Sequence, residues 1–363
     1  MRQDEERRRL AACAAFLEQK GLDGVYVTGR EDVRYLTGYA GGDAAALVAP
    51  GRRWLVTDFR YAEEARASAG RCRLVLWKEH PARHAGKLAA KAGFARLGFD
   101  ARRISVAAFR ELKAGAKGVR LMDAGAGLAE LRAVKSPYEI SAVVKALRIA
   151  EAALADVRGG LKPGLQETEI RHRLEEAMRA HGSEGPAFPT IAAAGANASR
   201  PHARPGSRQT RAREILLLDF GATAGGYASD ITRTFFLGDP GPLWRRRYEW
   251  VLMAQAAGLA ALTPGRTCRE ADGAARAVFR AAGAEKLFGH GLGHGVGLAV
   301  HEEPRLSKTA KGKLAAGMTV TVEPGLYWPR RGGIRIEDMA LVTPAGARIL
   351  TRCPKSLDYA VLD

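Results

Sequence analysis

The sequence predicts an α/β domain followed by an α+β domain. Up to about residue 130, short apolar runs that suit strands alternate with helical stretches. A helix start signal, Ser136-Pro137-Tyr138-Glu139, then marks a boundary. Beyond it, longer helices are followed by apolar strands that carry carboxylates. These three observations place the domains at residues 1–133 and 134–363.

The amino-terminal domain begins with a predicted amphipathic helix, on which Leu10, Ala14 and Leu17 fall on one face. Arg7–Arg9 before an apolar run is typical of the start of a secretion signal. Acidic residues precede it and polar residues follow at once, which favours the helix. Five strands are expected after this helix, at residues 24–28, 45–49, 54–57, 74–77 and 97–100.

The carboxyl-terminal domain opens with two predicted helices. Ser136 and Glu139 form a capping box with proline at the first helical position, so a long helix should span 137 to about 158. A second helix should span about 167 to 180. Strands and two further helices complete the domain.

Two acids are expected to meet at a hairpin. Residues 214–221 are typical of a buried strand and contain Asp219, and residues 227–236 are typical of the returning strand and contain Asp230. Glycines between them supply the turn, so the hairpin brings the two acids together. An ionised carboxylate in such apolar surroundings is costly unless a cation or hydrogen-bond donors compensate it.

Two further acids lie in strands of alternating pattern. The period of two puts Thr321 and Glu323 on one face of the strand 318–323. The same alternation puts Arg335 beside Glu337. Four carboxylates that converge in apolar surroundings would be unstable without metal, so the sequence predicts a metal site on rigid strands.

The histidines complete this pattern. Residues 290–304 contain His290, His294 and His301 among four glycines, which argue against a helical zinc pair. The HExxH zinc helix is also absent from this segment. Ligation by carboxylates and one imidazole favours Mn, Co, Fe or Zn over a thiolate zinc site.

These motifs resemble those of the pita-bread metallopeptidases: Xaa-Pro aminopeptidase, Xaa-Pro dipeptidase (prolidase) and, more distantly, methionine aminopeptidase. The matching stretches are residues 217–222, 226–234, 290–304, 322–327 and 333–338. Residues 33–39 resemble the creatinase/prolidase amino-terminal domain. The resemblance implies a creatinase-like α/β domain, an α+β pita-bread catalytic domain, a proline-containing peptide substrate and a homodimer.

The resemblance also implies a dinuclear centre, with Mn as the expected metal and Co, Zn or Fe as alternatives. Its ligands would be Asp219, Asp230, His294, Glu323 and Glu337. In the family pattern, Asp230 and Glu337 bridge the two ions, and a shared hydroxide attacks the scissile carbonyl. Glu323 is also similar to the family's proton shuttle.

Five other side chains receive roles from the resemblance. His290 and His301 would stabilise the tetrahedral oxyanion and hold the residue on the proline side. His202 would contact the substrate beyond the scissile bond, and Arg305 would bind its carboxylate, although both also suit an ordinary surface loop. Arg335 would orient the carboxylates. Structural roles are expected for His80, His84, His172, His181 and Asp338.

Composition limits the remaining classes. The formal net charge is +18, but the arginines are scattered and form no nucleic-acid-binding motif, so no specific nucleic-acid partner is expected. Four cysteines without a CxxC pair suit the cytoplasm, and no apolar run approaches the ~18 residues that span a membrane.

Two alternatives to an Xaa-Pro peptidase stay open: a metal-dependent hydrolase of a small non-peptide amide, and a non-catalytic pita-bread binding protein. The choice between dipeptides and longer peptides also stays open.

Overall fold

The computed structural model describes residues 3–362. The chain divides into two compact units, one ending at Arg132 and the other beginning at Ala133. In this described range, no helix combines the length and the apolar composition needed to cross a bilayer.

The first unit is a sheet with helices, as the alternating pattern predicts. Its strands are β1 (Gly24–Val27), β2 (Ala45–Ala49), β3 (Arg52–Thr57), β4 (Arg73–Leu76), β5 (Arg96–Phe99) and β6 (Arg120–Asp123). Its helices are α1 (Gln3–Lys20), α2 (Arg30–Thr37), α3 (Ala62–Ser68), α4 (Pro81–Lys91), α5 (Val106–Gly115) and α6 (Gly125–Leu131). The strand order is β4-β3-β2-β1-β5-β6, with β1 antiparallel to β2 and parallel to β5. The five predicted strands are confirmed. The short edge strand β6 begins and ends with a charged residue, and the sequence analysis missed it.

Helix α1 is confirmed, but the face predicted to be buried is wrong in part. Cys13, Phe16 and Leu17 are buried, whereas Leu10 and Ala14 stay partly exposed. The buried stripe also includes two charged side chains that form an ion pair with each other. An apolar pattern alone does not reveal such a pair.

The second unit contains the predicted catalytic residues. Its helices are α7 (Pro137–Arg158), α8 (Glu167–Ala180), α9 (Gly241–Ala260), α10 (Cys268–Ala281) and α11 (Leu357–Ala360). Its strands are β7 (Ile191–Ala194), β8 (Ile215–Phe220), β9 (Thr223–Ala224), β10 (Tyr227–Ala228), β11 (Ile231–Leu237), β12 (Gly293–Gly295), β13 (Glu302–Leu306), β14 (Thr319–Val322), β15 (Gly325–Trp328), β16 (Gly332–Arg335), β17 (Asp338–Thr343), β18 (Gly346–Ile349) and β19 (Val361–Leu362). The capping box of α7 and the bounds of α7 and α8 are confirmed.

Two sheets, in which most neighbouring strands are antiparallel, form the framework of this unit. One has the order β19-β11-β8-β7 and the other β13-β12-β14-β17-β18. Alternate residues of β8 enter different cores: Leu216 and Leu218 pack with residues of α7 and α8, and Ile215 and Leu217 pack with residues of α9 and α10. This period of two fixes which side chains of β8 face each helical layer.

The predicted returning strand over 227–236 is interrupted, which corrects the sequence interpretation. Strand β10 ends at Ala228 and β11 starts at Ile231. Between them, the Ser229 amide donates to the Ala222 carbonyl, and Ala222 donates to the Ser229 hydroxyl at 3.0 Å. Asp230 therefore lies outside the regular ladder.

Candidate metal centre and substrate cleft

A cleft of about 620 Å³ in the second unit collects every site residue that the sequence predicts. These lining residues are His202, Asp219, Asp230, His290, His294, His301, Arg305, Glu323, Arg335 and Glu337. They come from segments that lie far apart in the chain. The two sheets bring them together.

Three of the predicted ligands form a compact triad. Asp230, His294 and Glu337 offer ligand atoms that all lie within 4.8 Å of one another. Glu337 Oε2 accepts a hydrogen bond from the Thr232 hydroxyl at 2.7 Å. Its other oxygen, Oε1, is buried and has no hydrogen-bond partner among the described residues. A buried carboxylate oxygen of this kind fits a bound cation.

The other two predicted ligands lie beside the triad in the same cleft. Glu323 Oε1 is 3.2 Å from His294 Nε2 and accepts a hydrogen bond from Thr321 Oγ1 at 3.1 Å. Asp219 Oδ2 accepts a hydrogen bond from Arg335 Nη2 at 2.6 Å. The cleft therefore holds all five predicted ligands, and these two, like Glu337, already accept hydrogen bonds from protein groups.

His294 presents one ring nitrogen to the carboxylates. Its Nδ1 lies 3.1 Å from the Gly295 carbonyl, to which it donates. Its Nε2 consequently faces Asp230 Oδ2 at 3.6 Å, on the side of the carboxylates. The pairing of β12 with β13 shifts register at His294, and such an irregularity re-aims a side chain. Fixing one ring nitrogen on a carbonyl is a common way to present the other to a metal.

Without a cation, the surroundings of three of the four carboxylates disfavour the charged form. Burial and the neighbouring acids raise the pKa of Asp230 and of Glu337 well above the ordinary range. Burial also raises the pKa of Asp219, against the effect of Arg335. Burial opposes ionisation of Glu323, but the hydrogen bond and charge of His294, together with the charges of His290 and Arg335, outweigh it and lower the pKa of Glu323 to about 2. Divalent cations would compensate these charges in place of protons, so this donor set fits a metal site.

The raised pKa of Asp230 predicts a pH-dependent stability difference in metal-free protein. The folded state binds this proton more tightly than the unfolded state does. Its contribution is therefore full below the unfolded pKa of about 3.9 and is lost as pH rises through the folded-state pKa. Asparagine does not titrate, so the variant Asp230→Asn should gain stability relative to wild type as pH rises. Urea unfolding in chelator at about pH 5 and pH 8 measures this difference, and a constant difference would contradict the prediction.

A buried hydrogen-bond chain runs from Asp219 to His290. Arg335, which holds Asp219, also donates from Nη1 to the Tyr327 hydroxyl at 2.7 Å. That hydroxyl donates in turn to His290 Nε2 at 2.9 Å, and His290 Nδ1 donates to the Gly291 carbonyl at 2.8 Å. Burial lowers the pKa of His290, in agreement with a neutral ring. Both ring nitrogens of His290 are thus engaged within the protein.

Tyr327 is a site residue that the sequence analysis missed. It follows Glu323 by four positions and occupies β15, whose partner strand β16 carries Arg335. Gly325 pairs with Arg335 across this hairpin, and the period of two puts Tyr327 on the same face as Gly325. The sequence pattern contains both strands of this hairpin, but only their pairing register shows that Tyr327 lies on the same face as Arg335.

The mouth of the cleft is basic. The His301 ring packs 4.3 Å from the ring of His294, and partial burial together with that neighbour lowers the pKa of His301 to about 4. His202 and Arg305 are exposed at this mouth, and so is Arg204, which the sequence analysis did not single out. Along residues 3–362, neither Arg204 nor Arg305 forms an ion pair. The sequence feature that could have identified Arg204 as a cleft residue is its position two residues after His202.

Residues expected to be structural have partners outside the cleft. Asp338 pairs with Arg233 at 2.9 Å, behind the Glu337 segment. His80 caps α4 by accepting a hydrogen bond from Ala82. His181 lies 2.7 Å from an exposed aspartate.

Comparison with known proteins agrees with this architecture. The model of metallopeptidase family M24 matches residues 141–344, and that of the creatinase/prolidase N-terminal domain matches residues 9–134. The uncharacterized peptidase YqhT of Bacillus subtilis is 35% identical over 339 residues, which is 93% of this chain and 96% of that protein. An Xaa-Pro dipeptidase of Pyrococcus furiosus is 40% identical over 228 residues, which is 63% of this chain and 66% of that protein.

Solved structures share both domains. The Xaa-Pro dipeptidase from Bacillus anthracis has a TM-score of 0.92 at 32% identity, covering 98% of this chain and 100% of that one. The X-Pro aminopeptidase from Thermotoga maritima has a TM-score of 0.90 at 29% identity, covering 97% and 99%. The predicted creatinase-like domain and pita-bread catalytic domain are therefore confirmed. This chain belongs to metallopeptidase family M24, a metal-dependent family of peptidases.

Proposed function

We propose that this protein is a dinuclear metallopeptidase that hydrolyses Xaa-Pro dipeptides. The residues that would hold the two divalent ions are Asp219, Asp230, His294, Glu323 and Glu337. The observation that carries the proposal is the charge distribution along the cleft. Its interior holds four carboxylates, and its exposed mouth holds the guanidinium groups of Arg204 and Arg305, which form no ion pair within the described part of the chain.

A dipeptide complements this distribution. Its amino group suits the acidic interior, and its free carboxylate suits guanidinium groups at the mouth. An arginine can bind a carboxylate through two parallel hydrogen bonds, which also fixes its orientation. The Xaa-Pro dipeptidase names among the similar proteins support this substrate class.

The chain's own groups suit the proton transfers of hydrolysis. When bound, the metal ions would lower the pKa of a water molecule and polarise the scissile carbonyl. Glu323 Oε1 contacts His294 and accepts a hydrogen bond from Thr321. Its Oε2 receives no hydrogen bond from any residue in the described range. That oxygen can hold a proton and pass it to the proline nitrogen. His301, neutral above its pKa of about 4, can donate to the developing oxyanion from the mouth.

In this proposal His290 acts indirectly. Both of its ring nitrogens are engaged, so it cannot donate to the substrate without breaking an internal hydrogen bond. It instead holds Tyr327, which helps to position Arg335. Arg335 in turn orients Asp219.

A second candidate is removal of the first residue from longer Xaa-Pro peptides. The exposure of Arg204 and Arg305 favours it, because an open mouth leaves room for further residues. Metal-stripped protein reloaded with Mn would be tested on Ala-Pro, Ala-Pro-Ala and Ala-Ala-Ala, with products identified by mass. Cleavage of Ala-Pro alone supports the dipeptidase, and cleavage of the tripeptide after its first residue supports the aminopeptidase. No cleavage of any of the three would reject both and direct attention to non-peptide amides.

Removal of a guanidinium at the mouth should affect the free carboxylate selectively. We expect Arg305→Ala and Arg204→Ala each to raise KM for Ala-Pro about tenfold. An increase of this size corresponds to the loss of one charge-assisted hydrogen bond. KM for Ala-Pro amide, which lacks the carboxylate, should change little. Arg269→Ala, an exposed arginine on α10, is the matched control. Equal effects on the acid and the amide would argue against carboxylate recognition.

A further inference from the structure

A cluster of two tryptophans and two arginines lies outside the residues that line the cleft. The Arg247 guanidinium carbon is 4.4 Å from the centre of the Trp244 ring and 4.0 Å from that of Trp328. The two indoles meet edge to face, with centres 5.2 Å apart. Trp244 and Arg247 lie one turn apart on α9, and Trp328 ends β15, just before the hairpin turn that contains Arg331. We call Trp244, Arg247, Trp328 and Arg331 the Trp–Arg cluster.

Arg247 is a buried charge without an acidic partner. Its side chain is only 8% exposed. Within residues 3–362, no group accepts a hydrogen bond from its guanidinium or forms an ion pair with it. Stacking on the indoles stabilises the positive charge, and the guanidinium nitrogens, which are not among the fully buried atoms, stay accessible to an acceptor from solution.

Among the described residues, the charged group that perturbs Arg247 is a second arginine, Arg331. Burial and the Arg331 guanidinium lower the pKa of Arg247, although an arginine remains charged. Asp239, which precedes α9, forms an ion pair with Arg245 at 2.8 Å. Arg246 and Arg331 are exposed. The proposed peptidase chemistry does not use this arginine-rich segment.

We propose that the Trp–Arg cluster binds a phosphate group, with Arg247 and Arg331 as its ligands. Two neighbouring guanidinium groups that lack a carboxylate suit a tetrahedral oxyanion, which can accept several charge-assisted hydrogen bonds at once. Its negative charge would also relieve the repulsion between the two arginines. The formal net charge of +18 would attract such anions from solution. The phosphate group would come either from a small molecule or from the backbone of a single-stranded nucleic acid.

The test uses the tryptophans as reporters, since Trp244 and Trp328 are two of the five in the chain. The full-length protein is titrated with sodium phosphate, and with sodium chloride at matched ionic strength, while its fluorescence is recorded. We expect a saturable change with phosphate only. Arg247→Met should weaken phosphate binding about tenfold, as expected for a lost charge-assisted contact. Arg246→Met removes the same charge from the adjacent, exposed position and should weaken binding less than about twofold.

Arg331→Met provides a second variant whose side chain is exposed, so its folding should be unaffected. It should weaken phosphate binding about fivefold. A short oligothymidylate identifies the source: tighter binding than phosphate that Arg247→Met weakens indicates nucleic acid, and phosphate binding alone indicates a small molecule. The proposal is overturned if phosphate and chloride act alike on wild type. It is also overturned if the Arg246 and Arg247 variants bind phosphate or oligonucleotide equally well.

Discussion

Replacement of Asp230 by asparagine should lower kcat/KM at least about 1000-fold and weaken metal binding in parallel. Asp230 lies in the triad with His294 and Glu337, and its Oδ2 is 3.6 Å from His294 Nε2. An amide is neutral, and one of its two ends donates rather than accepts hydrogen bonds. The variant therefore removes both a charge and a ligand atom from the centre.

The experiment measures Ala-Pro hydrolysis and bound metal in the same preparations. Wild-type protein should lose its activity in chelator and regain it on addition of Mn. The variant should stay inactive after the same addition, with less metal bound per chain. Asp239→Asn, an exposed aspartate beyond the end of β11, is the matched control and should behave as wild type. An Asp230→Asn variant that kept more than about a tenth of the wild-type activity would contradict the assignment.

Replacement of Arg335 by methionine should lower both stability and activity. Arg335 is 3% exposed and donates to Asp219, Tyr327 and the Thr232 hydroxyl. Its loss leaves the Asp219 carboxylate without its guanidinium, and breaking a buried pair in this way costs about 3–5 kcal/mol. The cost should fall when metal is bound, because a cation then compensates the carboxylate. We expect kcat/KM to fall about 100-fold, in the range seen when groups that orient metal ligands are removed.

Two other variants separate orientation from general destabilisation. Arg348→Met removes an exposed arginine from β18 and should leave stability and activity unchanged. Tyr327→Phe keeps the ring but loses the hydroxyl between Arg335 and His290, so it should reduce kcat about tenfold with little change in KM. Urea unfolding with and without Mn, together with steady-state kinetics, measures these effects. Equal destabilisation of the Arg335 variant in both conditions would show that Arg335 does not compensate a metal ligand.

Local sequence determined much of the fold of this protein. The start of α7 follows from its capping box and the extent of α8 from its apolar periodicity, both of which act over a few residues. The strand that carries Asp219 and the strand that ends just before Glu323 were predictable because alternation and apolar runs are also local signals. The pairing of β8 with β11 was predictable from two apolar runs with glycines between them, although the small β9–β10 hairpin in their connection was not.

The candidate site was predictable as a set of residue types but not as a geometry. Buried acids and one histidine indicate a metal site wherever they converge, so the ligand set could be inferred from the sequence and the family resemblance. The compact triad depends on contacts such as that between Thr232 and Glu337, which are 105 positions apart. No local pattern encodes a distance of this kind.

The residue types of this chain set the chemistry that is available: four carboxylates in apolar stretches and the histidines around them. The tertiary structure sets how these groups are used. It engaged both nitrogens of His290, placed Tyr327 between Arg335 and His290, and put Arg204 at the mouth of the cleft. It also placed Arg247 against two indoles, with no acidic partner among residues 3–362. The physical reason is that hydrogen bonds and charge compensation depend on distances of a few ångströms between distant segments, and packing sets those distances.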